Sequence, residues 1–235
     1  MNNQPIEKQF IDPNGALEVH HIFRTIQGEG PFTGERAIFI RLAGCNLQCP
    51  GCDTEYTSQR TLMPVSTVCA RIIAECPIES MLVVITGGEP TRQNLGPLCH
   101  KLIECRYKVQ IESNGVRAPD ALTINLVERK LVTLVISPKT KAIHPKAAAI
   151  ASCFKYVLRD GDIDPVDGLP LRALEHAAAP RVARPPTGYK GLIYINPYDE
   201  KNEEANKRHL AATVKSCSTF GYRMGLQLHK IAELE

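Results

Sequence analysis

Three cysteines stand close together in the stretch Cys45-Asn-Leu-Gln-Cys49-Pro-Gly-Cys52, which has a C-x3-C-x2-C spacing. Thiolates are good ligands for iron and zinc, and a loop loosened by glycine and proline lets closely spaced cysteines converge on one metal group. A structural zinc ion usually takes four cysteine or histidine ligands, often as two spaced pairs, and the sequence has no second pair. We therefore predict a 4Fe–4S cluster with one iron left open for a further ligand, with zinc as the alternative.

The remaining cysteines are spread singly along the chain. They are Cys69, Cys76, Cys99, Cys105, Cys153 and Cys217. The total of nine cysteines is odd, and the amino-terminal residues lack the apolar core of an export signal, which argues against a disulfide framework. We expect these six to be small buried apolar side chains.

Polar motifs follow several apolar runs that are typical of buried strands. They are Thr86-Gly-Gly-Glu-Pro90, Glu112-Ser-Asn-Gly115, Ser137-Pro-Lys139 and Asn196-Pro-Tyr-Asp199. Paired glycines let a backbone approach a ligand closely, and a carboxylate suits a nearby ammonium group. Sites of α/β proteins form at the carboxyl ends of parallel strands, so the order of these motifs along the chain predicts one shared site.

The elements that must position these motifs alternate along the chain. Apolar runs predict strands over 37–42, 81–85, 108–111, 131–136, 154–158, 191–195 and 223–228, and apolar spacing near three and four predicts helices over 66–76, 94–105 and 202–218. This alternation predicts an α/β fold with a largely parallel sheet and right-handed crossovers. Periodicity does not choose between an open sheet and an incomplete barrel.

Length and composition predict one globular domain. The 235 residues are 43% apolar and 23% charged, with a net charge of +3, which is no electrostatic footprint for nucleic acid. The longest apolar run, 81–85, is too short to span a bilayer. We expect a cytoplasmic protein that binds neither nucleic acid nor membrane, with residues 1–18 as a polar lead-in and residues 19–235 as the folded domain.

The cysteine spacing after a predicted strand, followed by Gly-Gly-Glu-Pro after the next, resembles the radical S-adenosylmethionine enzymes. The resemblance implies a single-domain, incomplete (partial TIM-type) β/α barrel in which Cys45, Cys49 and Cys52 hold a 4Fe–4S cluster that binds S-adenosylmethionine. It also implies cofactor contacts at the strand-end motifs. These are Gly87, Gly88, Glu89, Ser113, Asn114, Ser137, Pro138, Lys139, Asn196, Pro197, Tyr198 and Asp199.

Two further stretches, Ile26-Gln-Gly-Glu-Gly30 and Gln227-Leu-His-Lys230, make the chain similar to the 7-carboxy-7-deazaguanine synthase family. In that family a 5′-deoxyadenosyl radical takes the C6 hydrogen of 6-carboxy-5,6,7,8-tetrahydropterin, whose ring contracts with loss of ammonia. The resemblance implies catalytic roles for the three clustered cysteines, Glu29 and Arg41. It implies substrate contacts at Ile26, Gln27, Gly28, Glu29, Arg41, Thr86 and His229.

The same resemblance implies Mg²⁺ bound by Thr54, an electron donor such as flavodoxin or ferredoxin, and a homodimer. Two alternatives remain open at this point. A radical activase that makes a glycyl radical on a partner enzyme would share the cysteines but would not need the motif of residues 27–30, and a zinc module would leave the strand-end motifs without a purpose. Arg41 has the alternative of a surface ion pair, and His229 that of a core or capping histidine.

Overall fold

One sheet of nine strands runs through the part of the chain that the structure, a computed structural model, describes: residues 2–75, 80–173 and 181–234. The strands are β1 (Leu17–Ile26), β2 (Arg36–Leu42), β3 (Thr61–Met63), β4 (Leu82–Gly87), β5 (Lys108–Ser113), β6 (Val132–Ile136), β7 (Cys153–Leu158), β8 (Leu192–Pro197) and β9 (Arg223–Met224). Their order in the sheet is β3-β1-β2-β4-β5-β6-β7-β8-β9.

From β2 to β9, every neighbouring pair of strands is parallel, whereas β1 runs antiparallel to both β2 and β3. Strands β3 and β9 are the two edges of the sheet, so the sheet does not close. The prediction of an α/β fold with an incomplete barrel is confirmed. The parallel order also brings the carboxyl ends of β2 and β4 to β8 to one rim, as the strand-end motifs require.

Helices connect most of the parallel strands. They are α1 (Val65–Glu75), α2 (Gly96–Glu104), α3 (Ala121–Glu128), α4 (Pro145–Ile150), α5 (Glu203–Phe220) and α6 (Leu228–Ile231). Local chemistry sets their ends: Asn202 accepts a hydrogen bond from the Ala205 N–H at 3.0 Å at the start of α5, and Gly221 ends that helix with a φ of 77°. Among the described residues, no helix has both the length and the apolar character needed to cross a membrane.

The two faces of the sheet have different chemistry. The main apolar core lies between the helices and one face, and it includes Ile38, Ile40 and Ile85, all fully buried. Because side chains alternate along a strand, Arg41 shares the opposite face of β2 with Ala37 and Phe39. On β2 and β4 that inner face is therefore apolar near the amino ends of the strands, at Ala37 and Leu82, and polar near their carboxyl ends, at Arg41 and Thr86.

Some elements differ from the sequence-based expectations. Strands β1 and β3 and helices α3 and α4 were not predicted, because the histidines of β1 interrupt its apolar alternation and the others are short. The last strand ends at Met224 instead of continuing to residue 228, since Gly225 donates to Ile195 O at 2.9 Å and the chain then turns into α6. Residues 17 and 18, predicted as lead-in, belong to β1.

The scattered cysteines are largely buried, as predicted. Cys69, Cys99, Cys153 and Cys217 are 0–7% exposed, and Cys105 is half-buried. Cys76 lies outside the described residues. Burial raises the pKa of Cys69 to about 11, which suits an inert thiol packed as a small apolar side chain.

Candidate active site

A cavity of about 830 Å³ opens at the rim where the parallel strands end. Residues from the cysteine-containing loop, from the strand-end motifs and from the last helix line it together. They include Cys45, Cys49, Cys52, Thr86, Gly87, Gly88, Ser113, Asn114, Ser137, Lys139, Tyr198, Asp199 and His229. The structure thus brings most of the predicted site residues into one place.

The loop that carries the three cysteines spans residues 43–56 and is called the cysteine loop below. It leaves β2 and closes on itself, because Gly44 N–H donates to Tyr56 O at 3.0 Å and Tyr56 is only 1% exposed. Cys45 and Cys49 are buried and Cys52 is half-buried, and all three line the cavity. The loop therefore presents its thiols to the cavity from a backbone that is tied together at its ends.

The three thiols suit a metal cluster that carries positive charge. Burial raises the pKa of Cys45 to about 12 and that of Cys49 to about 11, and the neighbouring thiols add to the shift of Cys45. Bound iron supplies the positive charge that turns such thiols into thiolates. Within the described ranges, no three His, Cys, Asp or Glu side chains are arranged around a single metal ion, whereas an iron–sulfur cluster spreads its cysteines over separate irons. The donor set fits a 4Fe–4S cluster.

Two glycines seat the end of β4 directly against the cysteine loop. Gly88 N–H donates to Leu42 O at 3.2 Å, and a Cβ on Gly88 would lie 2.2 Å from Gly44 O. Gly87 has a φ of 138°, a conformation that other residues rarely adopt. These glycines bring the β4 backbone to the cavity wall beside the cysteines, as the sequence motif predicts.

The carboxylate of Glu89, by contrast, is fully buried and is not on the cavity wall. It accepts hydrogen bonds from Ser113 Oγ and from Asn114 N–H, both at 2.7 Å, and from the Thr91 N–H at 3.0 Å. Burial raises its pKa despite these bonds. The sequence predicts that the Glu89 side chain contacts a ligand directly. In the structure its carboxylate instead binds Ser113 and Asn114 and so holds the end of β5 in position.

The residues after β5 and β6 complete that wall. Asn114 Nδ2 donates to Asn46 Oδ1 at 2.8 Å, which ties the end of β5 to the cysteine loop. Lys139 Nζ donates to Ser137 Oγ at 2.5 Å, and burial lowers the pKa of Lys139. Lys139 places a cation beside Cys49, where it favours the thiolate form.

Besides Glu89, three predicted cofactor contacts are absent from the cavity lining: Pro138, Asn196 and Pro197. Asn196 is fully buried, and within the described part of the chain neither atom of its side-chain amide has a hydrogen-bond partner. Its Oδ1 lies against Gly225, where an added Cβ would approach it to 2.0 Å. The adjacent residues Tyr198 and Asp199 do line the cavity.

The loop after β1 meets the carboxy-terminal segment at the cavity. Gln227 Nε2 donates to Glu29 Oε1 at 2.6 Å, and Leu228 N–H donates to Gly28 O at 3.2 Å. A Cβ on Gly28 would lie 2.4 Å from His229 Nδ1, so only glycine allows this contact. The stretches 26–30 and 227–230, which make the sequence similar to one particular family, therefore lie side by side on one wall of the cavity.

A buried lysine joins this wall to the sheet. Lys155 Nζ lies 2.5 Å from Glu29 Oε2 and 2.6 Å from Glu112 Oε2, and Lys155 is only 5% exposed. Gln27 Nε2 donates to Glu112 Oε1 at 3.0 Å, which closes the network. Sequence reasoning missed Lys155, and it placed Glu112 and Gln227 within motifs without giving either of them a role. A lysine within the apolar run Phe154–Leu158 was the available signal for Lys155.

The network keeps Glu29 ionised inside the protein. Burial alone would raise the pKa of Glu29, but the charge and hydrogen bond of Lys155, with the hydrogen bond of Gln227, hold that pKa at about 2. Conversely, burial opposes the charge of Lys155, and Glu112 and Glu29 together raise its pKa. Glu29 is thus a fixed carboxylate that can accept hydrogen bonds from a ligand.

Arg41 faces the cavity with unused hydrogen-bonding capacity. Its Nε is buried without a partner among the described residues, and its guanidinium lies 5.1 Å from the centre of the Phe23 ring. Arg41 and Thr86 are register partners on β2 and β4, so both side chains reach the same part of the cavity. A planar cation held against an aromatic ring suits a ligand carboxylate.

Thr54 and Asp53 line the cavity at the end of the cysteine loop. Thr54 Oγ1 donates to Asp53 Oδ1 at 3.3 Å, and Lys230 Nζ lies 3.3 Å from Asp53 Oδ2. Ile26 and Gln27 also line the cavity. The predicted magnesium ligand and the predicted substrate contacts therefore face the same space.

Comparisons with known proteins agree with this site. A family model described as a 4Fe-4S single cluster domain matches residues 26–119. A 7-carboxy-7-deazaguanine synthase from Rhodospirillum rubrum is 38% identical over 93% of this chain and 93% of its own, and one from Rickettsia prowazekii is 34% identical over 93% and 89%. The crystal structure of QueE from Escherichia coli superimposes with a TM-score of 0.67 at 23% identity, covering 90% of this chain and 94% of that one.

Proposed function

The chain belongs to the 7-carboxy-7-deazaguanine synthase family of radical S-adenosylmethionine enzymes, and from this membership we propose roles for its cavity residues. The enzyme converts 6-carboxy-5,6,7,8-tetrahydropterin into 7-carboxy-7-deazaguanine with loss of ammonia. One observation carries the assignment: the cysteine loop and the residues Gln27, Glu29 and His229 line a single cavity. One side suits the cofactors, and the other suits a pterin.

The cofactor side consists of the cysteine loop and the strand-end motifs. When bound, the 4Fe–4S cluster and S-adenosylmethionine supply the 5′-deoxyadenosyl radical that takes the C6 hydrogen. Cys45, Cys49 and Cys52 hold the cluster, leaving one iron for the cofactor. The backbone at Gly87 and Gly88 approaches the methionine end, while Ser113, Asn114, Ser137, Lys139, Tyr198 and Asp199 supply polar contacts along the cavity.

The substrate side holds the pterin at both ends. Glu29, kept ionised by Lys155, accepts hydrogen bonds from the amino and amide N–H groups of the pterin. Gln27 and the backbone of Ile26 and Gly28 contact the same edge. At the other end, Arg41 pairs with the substrate carboxylate. Two fixed ends orient C6 toward the cofactor side, which is the positioning that a radical transfer requires.

Replacing Arg41 tests the carboxylate contact. We expect Arg41→Met to lower kcat/KM by about 100-fold, mostly through KM, because charge-assisted hydrogen bonds contribute about 1.5–3 kcal/mol. The exposed residue Arg36, on the same strand, supplies the matched control Arg36→Met, which should keep its KM. Steady-state kinetics with the carboxylated pterin makes the measurement. An unchanged KM in Arg41→Met would show that Arg41 does not bind the substrate carboxylate.

Thr54 is the proposed protein ligand of Mg²⁺. A hydroxyl, together with water and substrate oxygen, is a donor set that this small hard cation accepts. We expect Thr54→Ala to raise the magnesium concentration needed for half-maximal activity by about tenfold, since one of its ligands is lost. Thr54→Ser keeps the hydroxyl and should retain the wild-type requirement. Equal magnesium dependence in all three proteins would contradict the assignment.

The family resemblance alone supports three other parts of the proposal: a flavodoxin or ferredoxin as electron donor, a homodimer, and a cytoplasmic location. The activase alternative is not favoured, because the curated relatives are 7-carboxy-7-deazaguanine synthases over nearly the whole chain. A zinc module is not favoured either, because the matching family model is that of a 4Fe-4S domain.

Isotope transfer tests the proposed reaction. Substrate deuterated at C6 is incubated anaerobically with the reconstituted enzyme, dithionite, magnesium and unlabelled S-adenosylmethionine. We expect deuterium in the recovered S-adenosylmethionine, since the radical takes the C6 hydrogen and the cofactor is regenerated. Product formation with no deuterium in the S-adenosylmethionine or in 5′-deoxyadenosine would contradict abstraction at C6.

A further inference from the structure

The amino-terminal residues contact the outside of the cysteine loop along its length. Asn2 Nδ2 donates to Cys49 O at 3.2 Å, and Glu7 N–H donates to Cys45 O at 2.7 Å. Ile6 forms a parallel β-bridge with Cys45. Two of the three cysteine carbonyls are thus hydrogen-bonded to this segment.

Gln4 makes the most contacts within the segment. Its Nε2 donates to Thr54 O at 2.9 Å, and its Oε1 accepts from the Tyr56 N–H at 2.8 Å. Its backbone carbonyl accepts from Gln48 Nε2 at 2.8 Å. One residue therefore links the middle of the cysteine loop to its end.

Hydrogen bonds of a buried arginine and one ion pair anchor the far end of the segment. Arg92, only 3% exposed, donates from Nη1 to Lys8 O and from Nη2 to Ala43 O, both at 3.0 Å. Phe10 N–H donates to Arg92 O at 2.9 Å, and Arg60 Nη2 lies 2.6 Å from Glu7 Oε1. Arg92 thus joins the segment to the point where the cysteine loop leaves β2.

We propose that residues 2–10 form a strap that holds the cysteine loop in its cluster-binding conformation. The inference rests on the proposed function, because it concerns how the loop retains the 4Fe–4S cluster. A loop containing glycine and proline and carrying three ligands loses conformational entropy when it binds a cluster. Contacts that order the loop beforehand reduce that loss, so the cluster is held more tightly and is released more slowly. Asn2 and Gln4 are positioning residues, since they act through the loop backbone.

The chain offers matched controls for both residues. Asn2 and Gln4 are half-buried against the loop, whereas Asn3 and Gln9 are exposed. The comparison is therefore Gln4→Ala with Gln9→Ala and Asn2→Ala with Asn3→Ala, in the full chain after anaerobic reconstitution. The readouts are iron bound per chain, the rate of iron release to a chelator, and the electron paramagnetic resonance signal of the reduced cluster, with circular dichroism as a check on folding.

We expect Gln4→Ala to release iron about tenfold faster than the wild type, because hydrogen bonds at both ends of its amide are lost. Asn2→Ala loses the bond to Cys49 O and the two bonds that Asn2 Oδ1 accepts from Gln4, but it keeps the Gln4 amide bonds to Thr54 and Tyr56. It should therefore show a smaller increase, and the two control variants should match the wild type. If Gln4→Ala and Asn2→Ala both release iron as slowly as the wild type, the proposed role of residues 2–10 is wrong. If the wild-type protein itself takes up no iron–sulfur cluster, the proposed function fails and the strap fails with it.

Discussion

Cys49→Ala is expected to lose the iron–sulfur cluster and all turnover. The cysteine loop supplies three thiolates to the cluster, and within the described residues no other cysteine lines the cavity to replace one of them. With two protein ligands the cluster is not retained, so the radical is not formed. Iron analysis and visible absorbance after reconstitution measure the loss, and product analysis measures turnover.

Cys217→Ala is the matched control. Cys217 and Cys49 are both 7% exposed, but Cys217 lies in α5, in the apolar core. Removing one buried sulfur there should cost about 1 kcal/mol of stability and leave the iron content and kcat unchanged. Cys153 is a poorer control, because the charge of nearby Lys155 influences the pKa of its thiol. A Cys49→Ala enzyme with a full cluster would contradict the ligand assignment.

Lys155→Met is expected to weaken substrate binding by about 10- to 100-fold, the range that charge-assisted hydrogen bonds give. The substitution removes the cation that lies 2.5 Å from Glu29 and 2.6 Å from Glu112, and it leaves two carboxylates facing each other in a buried place. Glu29 then loses its fixed orientation. The effect should appear mainly in KM for the pterin, with a smaller change in kcat.

The pH dependence of Lys155→Met distinguishes this role from a merely structural one. In the wild type, the pKa of Glu29 is about 2, so Glu29 is ionised at and well below neutral pH. Without Lys155, burial raises that pKa, and Glu29 becomes protonated as the pH falls. Of the other groups near Glu29, Lys139 and the protonated form of His229 favour its ionisation, and Glu112 opposes it.

We therefore expect KM of Lys155→Met to rise as the pH is lowered from about 8 to about 5.5, a range set by carboxyl pKa values raised through burial. The wild-type KM should change less over that range. Lys155→Arg keeps the positive charge and should restore part of the binding and the weaker pH dependence. A Lys155→Met enzyme with the wild-type KM at both pH values would contradict the positioning role.

Most of the parallel sheet follows from local sequence. Runs such as 81–85 and 131–136 are apolar at nearly every position, because these strands are buried on both faces, and such runs are visible without any tertiary information. β1 escapes the same reasoning. Its histidines and arginine stand where the strand is only partly buried, so they interrupt the apolar run. Its antiparallel pairing with β2 is visible only in the folded structure.

The candidate site also contains some residues that the sequence predicts and others that it does not. Motifs with a local chemical reason, such as the cysteine loop and Gly87-Gly88, lie where the sequence predicts. The apolar run around Lys155 marks the residue as unusual but does not give its role, because that role depends on Glu29 and Glu112, which reach it from two other elements. The strap was not predicted for the same reason: Gln4 becomes informative only when the fold brings it to Thr54.

The most direct test of the central claim is one anaerobic assay of the reconstituted protein. It contains dithionite, S-adenosylmethionine, magnesium and 6-carboxy-5,6,7,8-tetrahydropterin, and mass spectrometry identifies the product. We expect 7-carboxy-7-deazaguanine, with release of ammonia. A protein with an intact 4Fe–4S cluster that makes only 5′-deoxyadenosine and leaves the pterin unchanged would contradict it.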